Sequence, residues 1–279
     1  MNKQGKLILI ATPIGNLGDL TRRAEEALGA ADLVVAEDTR RTGRLLQHLG
    51  LDKPQLSFFE GNIKQRIGQI IERIEQGQTI CLVSDAGSPL VSDPGYELVY
   101  ACLERDLVVE ALPGPCAAVL ALQLSGLPPD RFIFEGFLPR KEGARRERFA
   151  AWRYLGGTLV IYESPNRLLA TLEELLAELG DRPCAVLREM TKLHEEAVRG
   201  PISYAIDQFT GRDIKGEVTV VVRLPQEQAA DEAAAVEGAR ALVRELGLKT
   251  KQAAAAAALL TGADKKSLYR ILAEDNDDR

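Results

Sequence analysis

The stretch CLVSDAGSPLVSDPGYELV, Cys81 to Val99, holds the residue types best suited to gripping a ligand through the backbone. An apolar run leads into it and a helical pattern leads out. Between them lie glycines, prolines, serines and two aspartates. It has neither the Gly-Lys-Ser/Thr of a phosphate cradle nor the Gly-x-Gly-x-x-Gly of a dinucleotide site. Three other loops share this character. ATPIGNLGDL (11–20) carries Gly15 and Gly18, which permit positive φ, and Asp19, which can cap a helix. LPGPCAA (112–118) holds Gly114 between two prolines and opens a helix at Cys116-Ala117, and YESPNR (162–167) follows a further apolar run. Each alone reads as a tight strand-to-helix turn. Together, at the carboxyl ends of strands, they predict one shared pocket.

Candidates for moving a proton lie in AEDTRRT (36–42) and FFEGN (58–62): Glu37, Asp38 and Glu60, with Asn62 beside them. Glu37 and Asp38 suit a helix cap equally well. Arg40 and Arg41 suit either a phosphate contact or a solvated helix start. The run PRKEGARRERFAAWRY (139–154) sets Arg140, Lys141, Arg145, Arg146, Arg148 and Arg153 against Glu142 and Glu147, with Trp152 and Tyr154 as stacking surfaces. That pattern fits an RNA footprint, and it also fits an amphipathic helix with solvated charges and core aromatics. In the tail, Lys265, Lys266, Tyr269 and Arg270 fall on the last helix of what reads as a helix-turn-helix or, equally, an accessory packing module.

The elements that must position these residues are legible from periodicity. Apolar runs at 6–11, 33–36, 55–59, 79–83, 107–111, 131–136, 158–162, 184–187 and 217–222 read as strands, with helical patterns between them. Continuous apolar strands separated by helices predict an α/β fold of βαβ units with mostly parallel sheets. The stiff turn near Pro113–Pro115 predicts a Rossmann-like domain over 1–114 and a second α/β domain over 115–225. Alanine-, glutamate- and lysine-rich composition after Pro225 predicts a helical tail, 226–279.

At 279 residues the chain is long enough for two compact domains, and its 46% hydrophobic and 27% charged residues are those of a globular protein. A net charge of −6 argues against nonspecific coating of nucleic acid while leaving room for a local basic patch. No apolar run approaches the roughly 20 residues of a membrane span, and KLILIA is too short for a secretory signal. The four cysteines are scattered with no C-x-x-C pair, and there are only two histidines. No metal site or disulfide framework is expected, and a reduced cytoplasmic setting is.

LIATPIGNLGDLTRRA, VVAEDTRRT, SDAGSPLVSDPG, PGPCA, FEGFLPRK and LVIYESPNRL, in this order and spacing, resemble the tetrapyrrole-methylase superfamily of S-adenosylmethionine-dependent methyltransferases. Within it they are similar to the branch that methylates the ribose 2′-hydroxyl of a cytidine in small-subunit (16S) ribosomal RNA. The resemblance covers roughly residues 5–225. It implies a cofactor cleft between two domains, a homodimer, and 16S rRNA or the assembled small subunit as partner. It places cofactor contacts on Pro13, on Ala86, Gly87, Ser88 and Pro89 with Val91 following, on Cys116 and Ala117, and on Glu163 and Met190, with Gly15 in the same first loop. Ser88 stands where the family usually has an aspartate, and Phe59-Glu60-Gly61 where relatives often carry histidines, which argues against a histidine base. Arg40, Arg140, Lys141, Arg145, Arg146, Lys265, Lys266 and Arg270 become the RNA contacts, and Glu37, Asp38 and Glu60 the candidate bases.

S-adenosylmethionine carries a sulfonium and no phosphate, so a lysine-bearing cradle would repel it. Loops of glycine and proline offering carbonyls and amides suit it. A tetrapyrrole C-methyltransferase and a non-catalytic ribosome-assembly factor are the alternative readings. A nicotinamide dehydrogenase lacks its fingerprint here.

Overall fold

The computed structural model describes residues 4–152, 155–225, 232–261 and 263–277. In the first half, β1 (Lys6–Ile10), α1 (Arg22–Ala30), β2 (Leu33–Ala36), α2 (Thr39–His48), β3 (Gln55–Ser57), α3 (Ile63–Glu75), β4 (Thr79–Val83), α4 (Tyr96–Leu103) and β5 (Val108–Leu112) follow one another. The strands form a wholly parallel sheet in the order β3-β2-β4-β1-β5. Successive side chains of a strand point to opposite faces, so KLILI and TICLV must be apolar throughout to be covered twice. Leu7, Val35 and Ile80 pack under α3 and α4, while Ile8, Val34 and Cys81 pack under α1 and α2.

The second half runs α5 (Ala117–Ser125), β6 (Phe132–Phe137), α6 (Glu142–Trp152), β7 (Thr158–Glu163), α7 (Leu168–Leu179), β8 (Pro183–Arg188), β9 (Glu196–Pro201), α8 (Ile202–Phe209) and β10 (Val218–Arg223). Its sheet order is β6-β7-β10-β8-β9, and only β6 and β7 pair in parallel. The other three ladders are antiparallel, unlike the mostly parallel expectation. The physical reason lies in the connections. Residues 189–195 join β8 to β9 with no helix to carry a crossover, and β10 returns into the gap between β7 and β8. The edge strand β9, EAVRGP, has no apolar run to betray it; charged edge positions are a usual guard against further pairing.

Helices α6, α7 and α8 cover one face of this sheet, and α5 covers the other. Trp152 is a core residue, 2% exposed and edge-on to Phe149 at 5.2 Å. It offers no stacking surface, because burying such a ring is worth several kcal/mol, about 3 or more, to the fold. Arg153 and Tyr154 lie outside the described residues. The tail forms α9 (Glu232–Leu246), α10 (Thr250–Thr261) and α11 (Lys265–Asp277), packed on one another around Ala235, Ala239, Ala254, Ala257 and Leu268. Residues 226–231, the start of the tail as read from composition, lie outside the described residues. Among the described residues no helix is long and apolar enough to cross a membrane, and no His/Cys/Asp/Glu group is arranged to hold a metal.

Candidate active site between the two sheets

The loops after β1 and β4 are zipped together at their bases. Thr12 and Gly87 exchange two backbone hydrogen bonds of 2.9 Å. The Thr12 hydroxyl donates to the Ser84 carbonyl at 3.0 Å, and the Ser84 hydroxyl to the Gly87 carbonyl at 2.6 Å. Gly87 has φ +89°, and a Cβ there would also press on Ile14. The loop continues through left-handed Leu90 (φ 69°) and Ser92 (φ 66°). Each such non-glycine residue costs about 1–2 kcal/mol, a strain that persists only where the surroundings over-determine the loop. Ser88 ties this loop to the next, its hydroxyl donating to the Pro115 carbonyl at 2.9 Å.

Gly15 is needed for a different reason than the sequence suggested. Neither it nor Gly18 has positive φ. A Cβ on Gly15 would instead fall 2.4 Å from Lys192 Cγ, because the two halves of the molecule touch there. Lys192 spans that contact and donates to Glu189 at 2.8 Å and Glu217 at 3.1 Å.

From the second sheet, Tyr162 accepts the backbone N–H of Ala118 at 3.0 Å, fixing the start of α5. Phe134 and Phe137 lie edge-on to its ring, and burial pushes its phenol up to about 12. The neighbouring Glu163 has a buried carboxylate. One oxygen accepts from Ser164 N at 2.7 Å, and the other from Thr171 Oγ1 at 2.8 Å, with Arg167 at 3.3 Å.

These loops enclose a cavity of about 300 Å³, within the range of small-ligand sites. Ile14, Asp85, Ala86, Gly87, Ser88, Val91, Ser92 and Asp93 line it from one half of the molecule. Ala117, Phe137, Tyr162, Glu163, Ser164, Pro165 and residues 216–219 line it from the other. No lysine or arginine is among the described lining residues.

Of the positions expected to touch cofactor, Ala86, Gly87, Ser88, Val91, Ala117 and Glu163 face this cavity. Pro13 lines an adjoining one of about 220 Å³. Pro89 and Cys116 are not among the lining residues but are next in sequence to Ser88 and Ala117, which are, Cys116 as the residue preceding α5. Met190 is buried against α5 with the apolar side of β8 and β10, between left-handed Glu189 and Thr191.

Asp85, Asp93, Phe137, Tyr162 and Glu217 were not singled out in the sequence. The two aspartates sat in the quoted loop with nothing to mark them. The approach of 216–219 had no signal, because only the fold brings β10 beside β7.

Electrostatics sorts the candidate bases. Burial, with the carboxylates of Glu37 and Asp85 close by, pushes Asp93 up to about 6. Glu37 is also raised, by burial and by Asp85, but it does not line the cavity. Asp38 is fully engaged. It caps α2 by accepting Arg40 N at 2.9 Å and holds the Arg40 guanidinium at 3.0 and 2.7 Å. Those bonds keep its carboxyl well below the usual range, and they also occupy Arg40. Arg41 and Arg44 are the arginines that face the adjoining cavity, Arg41 lying 3.7 Å from Asp85. Glu60 is exposed and lines neither cavity.

The basic run divides similarly. Arg145 is an internal tie: its side chain is only 15% exposed, it pairs with Glu174, and it donates to the carbonyls of Pro139 and Arg140. Arg146 is exposed but paired with Glu142 one turn away at 2.7 Å. Arg140 and Lys141 are exposed, with no ion-pair partner among the described residues. In the tail, Lys265, Lys266 and Arg270 are exposed on α11.

A sequence profile of the tetrapyrrole (corrin/porphyrin) methylases matches residues 6–205. A protein of Escherichia coli O157:H7 named ribosomal RNA small subunit methyltransferase I is 43% identical over 276 residues, 98% of this chain and 96% of that one. One of the same name from Thermotoga maritima is 48% identical over 218 residues, 78% of this chain and 98% of its own length. The crystal structure of uroporphyrin-III C-methyltransferase from Thermus thermophilus, complexed with S-adenyl homocysteine, superposes with a TM-score of 0.54 at 18% identity, covering 78% of this chain and 97% of that one.

Proposed function

The chain belongs to the family of tetrapyrrole (corrin/porphyrin) methylases, and from that premise we propose that it transfers the methyl group of S-adenosylmethionine to small-subunit ribosomal RNA, at the ribose 2′-hydroxyl of a cytidine. The carrying observation is the cavity between the two sheets: glycine- and proline-rich backbone, apolar walls, the carboxylates of Asp85, Asp93, Glu163 and Glu217, and no lysine or arginine among its described lining residues. Such a wall attracts a sulfonium and offers nothing to a phosphate. The relatives that share over 40% of the sequence bear the rRNA methyltransferase name, whereas the tetrapyrrole C-methyltransferase is only 18% identical.

The residues that would hold the cofactor are Ala86, Gly87 and Ser88 through their backbone, Val91 and Ala117 as apolar wall, and Glu163 as the brace behind Ser164. When bound, S-adenosylmethionine supplies a methyl group already activated for in-line attack. The chain must then orient the ribose, exclude water and take up one proton. Asp93 is the group best suited to that last task, since it faces the cavity and its carboxylate is more basic than an ordinary one. Glu37, behind it, raises that basicity and does not itself reach the cavity.

Arg41 and Arg44, beside Pro13 in the adjoining cavity, suit phosphates flanking the target nucleotide. Arg140 and Lys141 extend the footprint. Reversing both, R140E/K141E, is expected to weaken RNA binding about tenfold and to flatten its salt dependence by about two phosphate contacts, whereas reversing Arg145 would instead break its tie to Glu174. A homodimer is supported by Tyr96, Tyr100 and Leu103, which expose apolar surface at helical spacing along α4. A cytoplasmic location fits an rRNA substrate.

The test is to incubate the protein with labelled S-adenosylmethionine and either undermodified small subunits, naked 16S rRNA or a porphyrinogen precursor. Label is expected in one cytidine, whose 3′-phosphodiester becomes resistant to alkali. Label in the porphyrinogen, or in no substrate, overturns the proposal.

A further inference from the structure

Helices α9, α10 and α11 build their own core and make only sparse contact with either sheet. The Thermotoga maritima relative leaves roughly a fifth of this chain without a counterpart, yet it is 98% covered by 218 residues and carries the same name. That length is the span from β1 to β10. The sheets and their cavity therefore hold the chemistry, and the three helices add something to it.

Their surface has one feature that folding does not explain. Lys251 lies in the first turn of α10, and Lys265 and Lys266 lie in the first turn of α11, where no acidic residue stands. The helix dipole makes a helix start the worst place for a cation. Yet the three lysines line one shallow concavity of about 410 Å³ together with Tyr269, a residue 46% exposed. None of the three lysines has an ion-pair partner among the described residues. Asp264, the nearest carboxylate in sequence, is engaged in capping α11 through the Ser267 N–H at 2.8 Å. Like charges gathered against a dipole, around an aromatic face, gain stability when a polyanion bearing unstacked bases neutralises and stacks on them. In a chain of net charge −6, this patch is a local reversal of sign.

We infer that the three-helix module is an auxiliary RNA-binding surface, in which Lys251, Lys265 and Lys266 take phosphates and Tyr269 a base, raising affinity for the substrate RNA without taking part in methyl transfer. This rests on the reading of the protein as an RNA methyltransferase. The module acts as a tethered second contact, which strengthens binding through effective concentration and leaves the chemical step untouched.

The full-length triple variant K251E/K265E/K266E tests it, since all three positions are exposed and outside the core. Binding of 16S rRNA is measured for both proteins across a salt series, alongside single-turnover methyl transfer and S-adenosylmethionine affinity. The expected result is an RNA Kd raised tenfold or more near 0.1 M salt and a salt slope shallower by about 2–3. The methyl-transfer rate at saturating RNA should stay within twofold. A Kd and slope equal to those of the unaltered protein overturn the inference. So does a loss confined to the assembled subunit with naked rRNA unaffected, which would make the partner a ribosomal protein, and so does a change of oligomeric state alone. If the unaltered protein binds RNA through these lysines but methylates none, the proposed function fails and this inference stands.

Discussion

Replacing Asp93 with asparagine should lower the single-turnover methyl-transfer rate by about 10²–10⁴-fold, the usual contribution of a positioned general base, while leaving S-adenosylmethionine affinity nearly unchanged. The carboxylate lies in the cavity wall, and burial together with Glu37 and Asp85 lifts it to about 6. Only its ionised form can accept a proton, so the rate of the unaltered protein should rise with pH through about 6 and then level off. In D93N that acidic limb should vanish.

Stability should move the opposite way. A carboxyl whose folded pKa is raised contributes stability that is fully present below its unfolded value and is lost as pH rises through the folded one. At neutral pH the ionised Asp93 is therefore a burden on the fold, and D93N should melt at an equal or higher temperature than the unaltered protein. Below about pH 4, where both states of Asp93 are protonated, the two should converge. A variant that is more stable and far slower cannot be dismissed as misfolded. A D93N protein with an unchanged rate and an intact acidic limb would remove Asp93 from the reaction and return attention to Glu37.

Glu163→Gln should show the converse pattern. Both carboxylate oxygens are bonded within the protein, to Ser164, Thr171 and Arg167, and the side chain is fully buried. Neutralising it leaves the partly buried Arg167 guanidinium short of its counter-charge and gives Ser164 or Thr171 an amide N–H to face. Breaking one member of a buried pair costs about 3–5 kcal/mol. The low end applies here, because Arg167 keeps some access to water. For a chain of this size that corresponds to a fall in Tm of about 6–12 °C. Cofactor affinity should fall only as far as the Ser164-Pro165 wall loosens, by less than tenfold, with the remaining rate at saturating cofactor largely kept. Loss of cofactor binding at unchanged Tm would mean that the carboxylate reaches the ligand itself and that its internal bonds are secondary.

How much of this was legible beforehand can be traced residue by residue. Apolar runs such as KLILI and TICLV announced strands buried on both faces, because a side chain facing a helix layer cannot be polar whichever way it points. Loop chemistry announced a ligand without phosphate, because glycine and proline fix backbone shape locally. β9 went unseen because an edge strand has only one neighbour and its alternation is diluted by charge. The antiparallel turn of the second sheet went unseen because strand direction depends on which strand a segment pairs with, and period does not encode that. Gly15 drew notice as a residue free to take positive φ, and the fold uses it as a contact point with Lys192.

The sequence by itself determined the α/β layering, the four backbone-rich loops and the absence of a lysine cradle, since these follow from local periodicity and from the few conformations that glycine and proline allow. Only the tertiary structure decided which charges are free to act. Asp38 with Arg40 and Arg145 with Glu174 are satisfied internally, while Asp93 is held in a cavity beside two other carboxylates. The reason is that a charged group's availability depends on its burial and on which partner the fold sets against it, two positions away for Asp38 and Arg40 but 29 away for Arg145 and Glu174, and chain spacing does not say which of these forms.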